Sequence, residues 1–167
     1  MSRAYGVLSA TVTSNEDPEG LGRVRVRFTW LEGDTETQWA RIATLMAGDT
    51  RGSYIMPMPG DEVLIAFEHG MVDSPYVIGY LFSQTNPPPA TDPHHRVIRS
   101  VNGHEIELYD PEVSSGDKGY IRLKYADGNV VELSNAMIRI ECTGAIVING
   151  QHVLINGRYV VPTAGSI

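Results

Sequence analysis

Apolar and polar side chains alternate in five stretches of the first half of the chain, and each stretch predicts a β-strand. In the second stretch, Val24, Val26 and Phe28 alternate with three arginines, which is the pattern of a strand with one buried face. The periodicity of a helix is weak throughout. The five stretches cover residues 7–13, 23–28, 38–44, 62–67 and 76–82. Because closing such a sheet removes its unpaired edges, we expect a small barrel over residues 1–83, with the OB-fold as the obvious candidate.

A proline-rich stretch follows the predicted barrel. Pro87, Pro88 and Pro89 are consecutive and favour a stiff, extended backbone, and the residues around them have no apolar pattern with which to pack. We therefore expect a linker over residues 84–95, where His94 and His95 are exposed, and a second domain over residues 96–167.

Beyond the linker, apolar residues recur in pairs, with one residue between the two members of each pair. The spacing of the pairs is irregular at first and settles to seven or eight residues toward the C-terminus. Repeats this short are typical of a β-solenoid or an intertwined β-helix. One chain supplies few such steps, whereas three identical chains around one axis would each supply one side and bury a shared apolar column. We predict a homotrimer whose axis is formed by Ile121, Leu123, Val131, Leu133, Ile138, Ile140, Ile146, Ile148, Val153 and Ile155.

The side chains between these apolar residues change character along the repeat. The early steps carry a mixed-sign set that predicts a solvated surface: Glu105, Glu107, Arg122, Lys124, Glu132, Arg139 and Glu141. The last steps place Val147 and Leu154 there, and the apolar character continues at Val160, Val161 and Pro162. Either this end packs as an ordinary chain terminus, or these last three residues contact a tip protein. The backbone ladders are expected to run between chains.

Composition and charge narrow the classes of function. The chain of 167 residues has a net charge of −7, which disfavours binding to a phosphate backbone. Its single cysteine, Cys142, excludes a disulfide within the chain. The first residues lack the apolar core of a signal peptide. We therefore expect assembly in the cytoplasm of the producing cell rather than export by the general secretory route.

His152 is the candidate metal ligand, because one imidazole from each of three chains could converge on an axis. The alternation argues against this role, since Val153 and Ile155 are the inward residues and His152 then faces outward. No serine near a histidine has the context of a catalytic nucleophile, and no phosphate-binding glycine loop precedes a helix. We expect no enzyme activity, no cofactor and no bound metal.

Three stretches of the predicted barrel resemble the OB-fold of the spike proteins of contractile injection machines. They are Trp39-Ala40-Arg41, GSYIMPMPGDEVLIAFEHG at residues 52–70 and SPYVIGYL at residues 74–81. This family includes phage baseplate assembly protein V, the phage cell-puncturing spike and the VgrG proteins of type VI secretion. The residues that carry the resemblance are Trp39, Pro59, Gly60, Asp61, Glu62, Phe67, Gly70, Pro75 and Gly79.

The resemblance implies an all-β protein in which an OB-fold barrel is followed by an intertwined trimeric β-helix. It also implies a central spike that joins a hub and the inner tube to the tip and pierces the envelope of a target cell. VgrG proteins carry a hub region ahead of the OB-fold, whereas this barrel starts within the first ten residues, so we expect the hub to be a separate protein. A small PAAR-like tip protein is a further expected partner.

Two other functions remain open. An OB-fold can bind single-stranded nucleic acid or a carbohydrate through basic grooves and aromatic platforms, and Arg23, Arg25, Arg27, Trp30 and Trp39 could serve in that way. The other alternative is a short cell-wall hydrolase. The acidic net charge disfavours a nucleic acid as a partner.

Overall fold

A computed structural model describes residues 4–28 and 36–160 of the chain. The described residues form β-strands, turns and two short 3-10 turns at Glu68–Gly70 and Val113–Ser115. They fall into two compact units, of which one ends at Pro88 and the other begins at Pro89. No helix among the described residues is long and apolar enough to cross a membrane.

Seven strands belong to the N-terminal unit. They are β1 (Val7–Ser14), β2 (Arg25–Arg27), β3 (Arg41–Ile42), β4 (Ala47–Gly48), β5 (Arg51–Gly52), β6 (Glu62–Phe67) and β7 (Pro75–Leu81). Five of them form one sheet in the order β2-β1-β6-β7-β3, in which only the β3–β7 pair is parallel. Strands β4 and β5 form a separate antiparallel hairpin.

The five-stranded sheet closes on itself next to β2 and β3. The Val24 N–H donates to the Ala40 carbonyl (N···O 3.0 Å), and the Ala40 N–H donates to the Val24 carbonyl (2.7 Å). Closure joins the two edge strands and leaves an antiparallel barrel with one parallel contact. This strand order confirms the predicted all-β class and the OB-like N-terminal domain.

The interior of the barrel is built from alternate residues of its strands. Val24 and Val26 are fully buried, as their alternation with arginines predicted, and the Phe28 ring lies 5.8 Å from the Phe67 ring. The remaining side chains of the core are short and mostly branched, which suits a pleated wall. The buried core comprises Ala10, Val12, Val24, Val26, Phe28, Ala40, Val63, Ile65 and Val77.

The third strand is shorter than its predicted range of 38–44. The Ala43 N–H donates to the Val77 carbonyl (2.8 Å), and after this bond the chain leaves the barrel. The Thr44 hydroxyl then donates to the Ser53 carbonyl (2.6 Å) and closes the base of the β4–β5 hairpin. This hairpin has no apolar alternation of its own, so the sequence did not predict it.

The C-terminal unit contains an antiparallel meander and a small hairpin. Its strands are β8 (His95–Arg99), β9 (Glu105–Tyr109), β10 (Tyr120–Lys124), β11 (Val130–Ser134), β12 (Met137–Glu141), β13 (Leu154–Ile155) and β14 (Arg158–Tyr159). The first five pair in the order β12-β11-β10-β9-β8, and β13 pairs with β14. Gly119, just before β10, has φ +74°, and a Cβ there would lie 1.7 Å from the Tyr109 carbonyl oxygen, so only glycine fits.

Three expectations for this unit need correction. The ladders that join β8 to β12 run within the chain rather than between chains. The predicted strand at Ile146 and Ile148 is absent, because no described segment supplies partners for its backbone groups. His95 begins β8 inside the predicted linker, and both His94 and His95 are half-buried rather than exposed.

The structure describes a single chain, so the intertwined trimeric β-helix stays a prediction. The meander is compatible with one side of such an assembly, because no described residue of its own unit covers one of its faces. That face and its opposite form the candidate functional site.

Candidate functional site

One face of the meander, which we call the apolar face, carries aliphatic side chains in two rows across the strands. In the first row, Ile106 on β9 pairs with Leu123 on β10, and Leu123 pairs with Val131 on β11. Alternation along each strand sends these side chains to the same side of the sheet. The face comprises Ile98, Ile106, Leu108, Ile121, Leu123, Val131, Leu133, Ile138 and Ile140.

These aliphatic side chains are exposed in the single chain. Val131 is half-buried, whereas the others are exposed, and Ile138 retains 73% of its accessible surface. A continuous apolar surface of this kind marks a site of interaction with another protein. Six of the ten residues predicted for the trimer axis lie on this face: Ile121, Leu123, Val131, Leu133, Ile138 and Ile140.

The other four predicted axis residues follow β12. Ile146 and Ile148 lie outside any strand and are exposed, while Val153 is half-buried and Ile155 is exposed in β13. The structure therefore brings six of the predicted residues together and leaves four beyond the sheet. Their common role at an axis stays a prediction.

The opposite face, which we call the charged face, holds rows of side chains with alternating sign. In the central row Glu107, Arg122 and Glu132 lie on adjacent strands, with Arg139 next to Glu132. Opposite charges that face each other across strands stabilise a sheet. The sequence predicted a solvated surface here, but Glu105, Glu107 and Glu132 are buried. The cross-strand register, which alternation alone does not give, explains the difference.

Glu107 is the centre of the charged face. One of its oxygens lies 3.2 Å from an Arg122 guanidinium nitrogen. The other accepts a hydrogen bond from the Tyr120 hydroxyl (3.1 Å) and lies 2.7 Å from His95 Nδ1. Arg122 also donates to Glu132 (2.8 Å), so one guanidinium bridges two buried carboxylates. Each buried charge on this row therefore has a partner within the chain.

The environment shifts the protonation equilibria of three groups on this face. Burial raises the pKa of Glu105, but hydrogen bonds and charge from Arg99 and Lys124 outweigh it, so the pKa lies below its usual value. Burial lowers the pKa of Arg122, but the hydrogen bond to Glu132 and the charges of the neighbouring groups outweigh burial, so the pKa is raised overall. Burial, assisted by the hydrogen bond to the nearby carboxylate, raises the pKa of Tyr120. The shifts of Glu105 and Arg122 favour their charged forms, and the shift of Tyr120 favours its neutral hydroxyl.

The two faces of the meander therefore differ in whether their side chains already have partners. The charged face satisfies its ionised groups through neighbouring strands, whereas the apolar face leaves its side chains in water. A sheet with this asymmetry is suited to bind on its apolar side and to remain unbound on its charged side.

The predicted metal ligand and tip contacts lie at the end of the described chain. His152 is exposed, and its ring meets the Tyr159 ring edge-on at 5.3 Å. Within residues 4–28 and 36–160, no three histidine, cysteine or acidic side chains come together as metal ligands. Val160 is exposed, and Val161 and Pro162 lie outside the described residues.

Several residues of the OB-fold motif form the turn that starts β6. Gly60 has φ +97°, and its N–H donates to the Val12 carbonyl (2.9 Å). The Asp61 carboxylate accepts from the Met58 N–H (2.8 Å), which fixes the Pro59–Gly60 turn. Glu62 then begins β6 and pairs with both neighbouring strands.

The other motif residues lie at strand ends and at irregularities of the barrel. Gly70 has φ +76°, and a Cβ there would lie 3.1 Å from the Tyr5 ring. Pro75 is buried and pairs with Phe67, and Gly79 adjoins the register shift of the β6–β7 pair. Trp39 is half-buried beneath the Arg25 guanidinium, 4.8 Å from the ring centre.

Residues 8–82, which include all of this motif, match the family described as the type VI secretion system/phage-baseplate injector OB domain. The chain belongs to the VgrG and phage-baseplate spike family. The resemblance seen in the sequence is thereby confirmed, and the matched residues coincide with the closed barrel.

Curated VgrG relatives extend the similarity beyond the barrel. The chain is 35% identical over 90 residues to the type VI secretion system spike protein VgrG2a of Pseudomonas aeruginosa, which covers 52% of this chain and 11% of that protein. It is 34% identical over 133 residues to the spike protein VgrG4b of the same species, covering 75% and 16%. It is 33% identical over 123 residues to the actin cross-linking toxin VgrG1 of Vibrio cholerae, covering 68% and 11%.

The chain spans less than a fifth of the length of these VgrG relatives. The match supports a spike role for the shared part of the chain. The activities named for the whole relatives, such as the actin cross-linking of VgrG1, belong to those proteins.

Proposed function

We propose that this chain is the structural central spike of a contractile tail or a related injection system, and that it acts as a homotrimer without enzyme activity. The observation that carries the proposal is the apolar face, which is exposed across all five strands of the meander, opposite a face whose charges are paired. Three such faces around one axis would bury each other, as obligate oligomer interfaces of high apolar content do.

The mechanism would be mechanical. Four in-chain ladders connect the strands of the meander, and burial of the apolar face would add side-chain packing along the axis. Regions with many buried contacts and satisfied backbone groups open only at high free energy. Force from the contracting sheath would then pass along the needle without unfolding it, and the needle would pierce the target envelope.

Partners follow from the two ends of such a spike. The barrel would dock on a hub protein at the end of the inner tube, as expected of an injector OB domain. The exposed residues Val147, Leu154 and Val160 near the other end would contact a small PAAR-like tip protein. The particle would assemble in the producing cell, and the needle would reach the target envelope when the particle fires.

Light scattering on the purified chain tests the assembly. We expect the mass of three chains of 18.3 kDa each, independent of moderate salt, because the proposed axis is apolar. A mass equal to one chain would refute the trimeric spike.

Two further measurements test the function itself. In intact particles, cryo-electron microscopy should locate the chain on the tail axis between the tube and the tip. Zymography on cell walls should show no lysis, and clearing by the purified chain would favour a hydrolase instead.

A further inference from the structure

An open cleft of about 1130 Å³ lies on the N-terminal unit, between the barrel and the β4–β5 hairpin. We call residues 44–56, which contain this hairpin, the arm. The barrel side of the cleft is formed by Trp39, Arg41 and Tyr76, and the loop between β1 and β2 contributes Leu21. OB-folds in general bind ligands on the face of strands 2 and 3 and on the loop between strands 1 and 2, and the cleft includes residues of β3 and of the loop between β1 and β2.

The arm is fixed at its base but carries unburied apolar side chains. The Tyr80 hydroxyl donates to the Ile55 carbonyl (2.9 Å), and Thr44 bonds to the Ser53 carbonyl (2.6 Å). Leu45 nevertheless exposes 95% of its surface and Tyr54 exposes 78%. Both outer edges of the arm hairpin are unpaired among the described strands. An arm held this way presents apolar groups and backbone groups to a partner.

The loop on the other rim is held rigidly by Asp17. Its carboxylate accepts hydrogen bonds from the Leu21 N–H (3.0 Å) and from two guanidinium nitrogens of Arg23 (2.9 and 2.7 Å). The loop thereby holds the exposed Leu21 side chain at the rim of the cleft. A rim that is ordered before binding loses less conformational entropy when a partner arrives.

Two arginines of the cleft, Arg41 and Arg51, have no acidic partner among the described residues. The Arg41 guanidinium lies 5.7 Å from the centre of the Tyr76 ring, and the Tyr76 hydroxyl donates to Glu68 (3.2 Å). Among the described residues no carboxylate forms an ion pair with Arg41 or Arg51, whereas Arg23 is paired with Asp17. Arg41 is therefore oriented and still able to bind an anion.

We propose that this cleft binds an extended segment of another protein in which carboxylate side chains alternate with apolar ones. The carboxylates pair with Arg41 and Arg51, and the apolar side chains pack on Leu21, Met46 and Tyr54. Tyrosine, tryptophan, methionine and arginine are the residues enriched in protein–protein interfaces, and the cleft contains all four.

The same residues disfavour two other ligands. A carbohydrate would gain little from exposed leucine and methionine side chains, and Arg25 already covers the Trp39 ring on which a sugar could stack. A nucleic acid would place a phosphate at every nucleotide against Glu68, Asp73 and a chain with a net charge of −7, whereas the proposed segment needs carboxylates only opposite Arg41 and Arg51. This inference uses only the N-terminal unit and does not depend on the trimer.

An array of short synthetic peptides that permute acidic and apolar residues tests the proposal, with a matched array in which Asn and Gln replace Asp and Glu. We expect the full chain to bind acidic members, and the best labelled peptide to bind in solution at least about tenfold more tightly than its amide counterpart. Arg41→Gln and Arg51→Gln should each lower the affinity for that peptide by about tenfold. Arg96→Gln, an exposed arginine of the C-terminal unit, is the matched control and should leave the affinity unchanged.

Several results would overturn the proposal. They are the absence of acidic peptides among those that bind, equal affinity for the best peptide and its amide counterpart, or an equal loss of affinity in Arg96→Gln. Tighter binding of oligothymidylate or of a chitin oligosaccharide would also overturn it. Light scattering on the same samples separates this site from the proposed spike. An unchanged mass with lost peptide binding in Arg41→Gln places the effect in the cleft, and circular dichroism of each variant verifies its fold.

Discussion

At the scale of single residues, Asp17 shows how one carboxylate can order a loop. Its side chain is only 3% exposed, and it accepts hydrogen bonds from three backbone N–H groups and from the Arg23 side chain. The Arg23 guanidinium, which is the largest influence, holds the pKa of Asp17 well below its ordinary value of 3.8. The charged form is therefore favoured in the folded state.

We predict that Asp17→Asn lowers the midpoint of thermal unfolding, because the amide cannot accept all of these bonds. A carboxyl with a lowered folded-state pKa contributes stability above its unfolded pKa, and this contribution is lost as the pH falls through the folded pKa. The difference between the two proteins should therefore be constant above about pH 5 and should shrink as the pH falls below 3.8. Scanning calorimetry across this range checks it.

Glu19→Gln is the matched control for that substitution. Glu19 also lies near Arg23 (3.1 Å), but its carboxylate is largely exposed. Removal of an exposed charge of this kind should leave the midpoint nearly unchanged. An equal loss in both variants would contradict the special role of Asp17.

At the scale of elements, the alternation of apolar and polar residues predicts the strands and the barrel core, but it does not predict the register in which neighbouring strands pair. Val24 and Val26 are assigned to the buried face from the sequence, and both are fully buried. The arm was missed, since its two-residue strands are too short for a pattern. Ion pairs across the charged face were missed too, because they depend on which strands are neighbours. Ile146 and Ile148 have a strand pattern but no partner strand among the described residues.

Glu107 is the element-scale test, because it joins β8, β9 and β10 through His95, Tyr120 and Arg122. We predict that Glu107→Gln lowers the free energy of unfolding by about 2 kcal/mol, the cost of losing charged hydrogen bonds at a buried site. Urea denaturation followed by circular dichroism measures the loss, and hydrogen exchange of the β9 and β10 amides should become faster.

The charged face offers its own control in Glu141→Gln. Glu141 lies 3.2 Å from Arg139, but both side chains are accessible to water. An exposed pair contributes at most about 1 kcal/mol, and we expect a change below about 0.5 kcal/mol. Similar losses at Glu141 and Glu107 would show that burial of the network is not what stabilises the sheet.

At the scale of the whole molecule, the two units differ in whether one chain is enough to complete them. The barrel is complete in one chain, since its sheet closes and its core is buried. The meander is incomplete in one chain, since its apolar face is exposed. The sequence indicated this incompleteness through repeats too few for a single-chain solenoid. The sequence could not show what covers the apolar face, because contacts between identical chains leave no pattern of their own in the sequence of one chain.

The proposed trimer contact of the apolar face can be tested with Ile140→Asp, which places a charge on that face at its edge strand β12. In a trimer three such carboxylates would meet near one axis, and burying each unpaired ion costs several kcal/mol. We therefore expect the mass measured by light scattering to fall from that of three chains to that of one, while the barrel remains folded. Val113→Asp adds the same charge at a residue that is 95% exposed and outside the sheet, and it should leave the trimer intact. Ile148→Asp extends the test past β12: dissociation there would carry the axis beyond the meander, whereas a trimer that survives Ile140→Asp would place the interface on another surface.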